Sequence, residues 1–166
     1  MDWLSILTSV LISLVPATAV AFITVRLSLK QFYSKKWWEK KAESYSAISK
    51  DLANLLFCVK EINSELGGGK KLDDHRRETL GNEYRRRLDS LKITAAGGDF
   101  ISSKEVSREL MLLVDDLEKK SNNLTKEFIG DDFRRVLEDY YKDNYRTIET
   151  YKDKFNDLAK KDLNIK

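Results

Sequence analysis

The chain of 166 residues carries 30 Lys and Arg against 27 Asp and Glu, a formal charge of +3, with one histidine, one cysteine and one proline. A single cysteine forms no intrachain disulfide, and a single histidine leaves no His/Cys cluster for zinc. One proline and seven glycines exclude low-complexity disorder and leave a chain free to be helical almost throughout.

The mean hydropathy of −0.49 averages two populations: Trp3 to Val25 holds no charged residue, while charges recur throughout the remainder. As a helix rising ~1.5 Å per residue the uncharged run would be ~34 Å long, enough for the ~30 Å hydrocarbon core of a bilayer. Only Met1 and Asp2 precede it, so the basic leader of a cleaved signal peptide is missing, although Ala17-Thr18-Ala19 resembles a cleavage site. Residues 1–25 are therefore expected to form a transmembrane anchor. By the positive-inside rule it would pass once through the inner membrane, with a short N-terminus outside and a cytoplasmic C-terminal domain.

Small residues recur at every fourth position of this run: Ser5, Ser9, Ser13, Ala17 and Ala21. Such a stripe drifts only ~40° per step around a helix. It suits close packing between copies, or a wet lumen in an oligomer, or hydroxyls bonded back to the helix's own carbonyls. Pro16 is expected to kink the helix.

Residues 26–41 hold six basic residues, Arg26, Lys30, Lys35, Lys36, Lys40 and Lys41, against Glu39 alone, whereas 42–166 is within one charge of neutral. With Phe32, Tyr33, Trp37 and Trp38 among them, these residues read as a collar at lipid headgroups. The charge is too local for a broad nucleic-acid surface.

Residues 42–166 read as a cytosolic bundle. With no proline or glycine from Ala17 to Leu66, the anchor is expected to continue as one helix, and Tyr45, Ile48, Leu52, Leu55, Leu56, Val59, Ile62 and Leu66 follow three-and-four spacing up to the Gly67-Gly68-Gly69 stop. A second helix is expected over Asp74 to Ala96 with Leu80, Tyr84, Leu88 and Leu91 inward, ended by Gly97-Gly98. Ser102-Ser103-Lys104-Glu105 reads as a capping box opening a third, with Val106, Leu110, Leu113, Leu117, Leu124 and Phe128 inward and Gly130 closing it. Asp131 or Asp132 would cap the fourth, whose stripe is Phe133, Leu137, Tyr140, Tyr141, Ile148, Tyr151, Phe155 and Leu158. The expected fold class is all-α: an N-terminal transmembrane helix continuing into an antiparallel four-helix bundle.

Enzyme signatures are missing: no nucleotide loop, no nucleophile elbow, no HExxH. Cys58 lies on or beside the apolar stripe and reads as a small core residue, and His75 sits in a charged turn. No catalytic residue, metal ligand or cofactor is assigned. The spacings Arg77-x4-Asn82 and Arg76-x5-Asn82 form a degenerate version of the Arg/His pair of the HEPN ribonucleases, with asparagine unable to act as the general base.

In its architecture, the apolar run, the basic collar, the helical domain and the Arg77 and Asn82 pair, the chain resembles the single-pass accessory membrane proteins of type VI-B CRISPR systems, which carry a divergent HEPN-like domain. That resemblance implies an oligomeric, pore-forming or membrane-perturbing accessory of bacterial antiviral defence, working beside an RNA-guided RNase. The expected partners are then the lipid bilayer, further copies of the chain and that RNase system. The alternative is a membrane-tethered adaptor or degenerate HEPN RNase domain whose span only localises it.

Overall fold

The computed structural model describes residues 3–69, 71–97, 102–127 and 133–164, with the backbone alone at 4–17, 19 and 125–127. They form α1 (Trp3–Leu66), α2 (Asp74–Gly97), α3 (Lys104–Glu127) and α4 (Phe133–Leu163), and no strand occurs among the described residues. Two compact units are distinguished, Met1–Lys40 and Lys41–Lys166, the second holding the bundle.

Among the described residues no helix is long and apolar enough to cross a membrane. This corrects the fold class at its N-terminal end: α1 is helical, but a transmembrane helix over 1–25, a single-pass topology and an inner-membrane location are not supported. The physical reason lies in the described side chains of α1. Of the uncharged run, the continuous stretch with described side chains is Val20 to Val25, and Arg26 and Lys30 follow at once, so the described side chains of α1 do not offer the ~20 consecutive apolar residues that a span requires.

The bundle is antiparallel, and its cross-helix bonds set the order. Asp51 of α1 accepts from Arg87 (2.7 Å) and Ser90 (2.7 Å) of α2, while Glu65, further along α1, pairs with Arg77, earlier in α2. Lys92 of α2 pairs with Glu118 of α3. Lys120 and Glu109 of α3 meet Asp143 and Lys154 of α4. Lys41 near the start of the bundle pairs with Asp162 near its end, and Arg134 donates to the Leu66 carbonyl (2.9 Å), so α4 runs back along α1.

Three-and-four spacing drives this assembly, because it puts one apolar stripe of each helix on one side. Ile48, Leu52, Leu55 and Val59 of α1, Leu91 of α2, Val106, Leu113 and Leu117 of α3 and Ile148 of α4 are all fully buried. Each such side chain contributes about 1.5–3 kcal/mol by leaving water. The edge of the stripe is looser than the spacing implies: Leu56, Tyr84, Leu88, Tyr141, Tyr151 and Leu158 are only partly buried, and Phe133 is exposed at the start of α4.

The glycine stop after α1 is where it was expected. Gly67 and Gly69 donate to the carbonyls of Asn63 (2.9 Å) and Ser64 (2.8 Å), and Gly68 sits at φ 88°, a conformation that costs L side chains dearly. Asp73 caps α2 through the Arg76 amide (2.6 Å). The cap of α3 differs from expectation by one residue. Ser103, not Ser102, accepts from the Val106 amide (3.3 Å), and Ser102 turns inward to the Ser107 hydroxyl (3.0 Å). Glu105 then falls one position too early to close a capping box. Gly98, Phe128, Gly130, Asp131 and Asp132 lie outside the described residues.

Candidate functional site

Two regions collect the residues singled out from the sequence. The first is α1 within the unit Met1–Lys40. Phe22, Ile23, Val25, Leu27, Leu29, Phe32, Tyr33, Trp37 and Trp38 each remain about half exposed or more. Arg26, Lys30, Lys35, Lys36 and Lys40 are exposed among them. Phe32 meets Tyr33 edge-on with centroids 5.8 Å apart, and the Lys36 ammonium lies 5.3 Å from the Phe32 ring centre. Leu27, Lys30, Gln31, Ser34, Lys35 and Trp38 line a shallow surface groove along one helix face, as residues three, four and seven apart must.

Lys41 does not share this exposure. Its ammonium pairs with Asp162 at 2.8 Å, so the last residue of the expected collar is a bundle residue. Of the small-residue stripe, Ala21 is exposed, while the side chains of Ser5, Ser9, Ser13 and Ala17 lie outside the described residues.

The second region is the end of the bundle where α1 gives way to α2. Arg77 forks onto Glu65, with Nε 3.0 Å and Nη2 2.6 Å from the carboxylate oxygens, and Nη1 lies 2.6 Å from Asp74. The Arg77 hydrogen bond, outweighing partial burial and helped by the Leu72 amide, holds the Glu65 carboxyl below its ordinary range. Asn82, exposed and five residues on, stands about 140° further round α2, so the helix does not bring the Arg77 and Asn82 side chains to one point.

Burial first, then the Glu83 charge, pushes the Cys58 thiol up, which is the reverse of an activated nucleophile. His75 is exposed at the start of α2. Among the described residues no group of three or more His, Cys, Asp or Glu side chains is placed to hold a metal ion.

No protein family, curated protein or solved structure matches this chain. The architectural resemblance to CRISPR accessory proteins therefore gains no support from relatives.

Sequence reasoning missed Asp51 and Asn144 inside the bundle, and it placed Tyr45 in the apolar stripe without its polar contacts. Asp51 is buried between Arg87 and Ser90, and Tyr45 donates to Asp162 while accepting from the Ser103 amide at 3.1 Å. Asn144 is fully buried, and neither of its amide atoms has a partner among the described residues. Spacing alone would have found it, because Asn144 stands at the three-and-four positions between Tyr141 and Ile148.

Proposed function

We propose that the protein is a helical adaptor acting by assembly rather than catalysis, joining copies of itself through α1 from Val20 to about Ser34 and presenting its four-helix bundle to further partners. The observation that carries this is the density of exposed large apolar side chains on that stretch, Val20, Phe22, Ile23, Val25, Leu27, Leu29, Phe32 and Tyr33, since apolar surface on such a scale marks an interaction site. Helix geometry makes a second copy a suitable cover. Arg26 and Lys30 stand only about 40° apart, while Ala21, Val25 and Phe32 fall on the opposite side with Val20 and Leu29 flanking them. Two such faces can close on one another with both cations left in water.

Sedimentation equilibrium of the full chain tests this. The expected result is a dimer or larger species that Val25→Glu with Phe32→Glu converts to a monomer of unchanged helicity. A wild-type chain that stays monomeric at every accessible concentration refutes it. The pore expected from the resemblance required a membrane span and is not carried forward. A link to an RNA-guided RNase rests on that resemblance alone, and phage protection measured with and without this chain beside such a system would test it.

A further inference from the structure

At the α1–α2 end of the bundle, cations from three separate pieces of chain converge on one cavity. It has a volume of ≈ 410 Å³ and is lined by Lys71 of the turn, Arg77 of α2 and Arg134 of α4, with Glu65, Leu66 and the two glycines Gly68 and Gly69 as the rest of its wall. Among the described residues Glu65 is the one carboxylate in the lining, and the Arg77 fork and the Leu72 amide (3.0 Å) already occupy it. Asp74 also touches Arg77, but its side chain is 99% exposed, so water screens that pair and a stronger anion can displace it.

The other two cations have donors to spare. Arg134 spends Nε and Nη2 on the Leu66 carbonyl, and Nη1 has no bond among the described residues. Glu138, one turn along α4, feels the Arg134 charge but is itself taken by Lys142 at 2.5 Å. Lys71 is exposed and makes no hydrogen bond or ion pair among the described residues. The wall is open on the turn side: a Cβ placed at Gly68 would meet nothing within 4 Å.

We propose that this cavity binds a phosphate group, with Lys71 and Nη1 of Arg134 as its principal donors and the Asp74-facing edge of Arg77 as the third. A planar guanidinium held by its own second bond is pre-oriented for an oxyanion, and a lysine supplies the compact charge beside it. Among the described residues no aromatic side chain lines the cavity, so recognition is expected to end at the phosphate and not to extend to a stacked base. This site is independent of the α1 assembly surface, and its test does not depend on oligomeric state.

The test is backbone-amide NMR titration of the full chain with inorganic phosphate and, separately, adenosine 5′-monophosphate, each against sodium chloride at matched ionic strength. Saturable shifts at Gly68, Gly69 and Lys71 are expected with both phosphates. Similar affinities would assign the binding to the phosphate alone. An AMP affinity more than tenfold tighter would overturn that limit on recognition. Lys71→Gln, an exposed change with no bond to lose among the described residues, should weaken phosphate at least fivefold, whereas Lys50→Gln on the exposed side of α1 should leave it unchanged. Shifts no different from chloride, or Lys71→Gln binding as tightly as wild type, would overturn the proposal. Arg134→Lys, which keeps the charge but removes the guanidinium, should also weaken phosphate, and binding as tight as wild type would overturn the role given to Arg134.

Discussion

Asn144 offers the sharpest test of how the bundle is held together. Its side chain is fully buried and neither Oδ1 nor Nδ2 has a hydrogen-bond partner among the described residues. A buried polar group left unsatisfied costs about 1–3 kcal/mol, and Asn144 carries two. Leucine has the same branching at Cγ but is bulkier, and overpacking returns about 1–3 kcal/mol of strain. The net expectation for Asn144→Leu is a gain of about 2 kcal/mol, the excess of two relieved groups over one episode of crowding. For a chain of this size that corresponds to a rise in Tm of about 4–8 °C. Urea denaturation at neutral pH, followed by circular dichroism, measures it, with an unchanged m-value showing that the same surface is exposed on unfolding. A variant less stable than wild type would refute the reasoning, because it would mean that the amide makes bonds worth more than the cost assigned to it.

Two further outcomes follow from the turn and from the ion pairs. Gly68→Ala should cost about 1 kcal/mol for its positive φ. Gly69→Ala should cost more, because its Cβ would stand 2.5 Å from the Ser64 carbonyl oxygen; equal urea midpoints for the two variants would contradict that order. Stability should also fall towards both ends of the pH scale. Hydrogen bonds from arginine or lysine hold Glu65, Glu83 and Glu138 low, and at Asp162 burial pushes up but Lys41 and Tyr45 outweigh it. A carboxyl lowered by folding stabilises above its unfolded value, about 3.9–4.3, and loses that contribution as pH falls through the folded one. Burial raises Tyr45, Tyr84 and Tyr141, so their contribution is complete below about pH 10 and is lost as pH rises beyond it. A flat urea midpoint from pH 5 to pH 3 would remove the acid half of this prediction.

The bundle was legible because its signals are local. Apolar residues at three-and-four spacing and glycines at the ends of helices act within a turn or two, and Leu52, Leu91, Leu113 and Ile148 are buried as that spacing requires. The capping serine was misplaced by one residue because Ser102 and Ser103 are equivalent candidates until Ser107 is known to lie inward of Ser102. Asp51, Arg87 and Ser90 were illegible for a different reason. Their pairing joins residues 36 and 39 positions apart, and only the packing angle of α2 on α1 decides that a carboxylate inside the bundle will be satisfied. The membrane anchor rested on the length of the uncharged run over 1–25 and on its basic flank, whereas among the described residues no helix is long and apolar enough to cross a membrane. Arg77 and Asn82 were joined by spacing in the sequence, whereas the partner that Arg77 meets, Glu65, comes from the preceding helix.

The contacts of Tyr45 carry a practical consequence for anyone dissecting the chain. One phenol on α1 holds the last turns of α4 through Asp162 and the first residue before α3 through the Ser103 amide, with Lys41 gripping the same carboxylate. An excised bundle therefore has firm limits: it must begin upstream of Lys41 and run beyond Asp162, because cutting inside either point unfastens three helices at once.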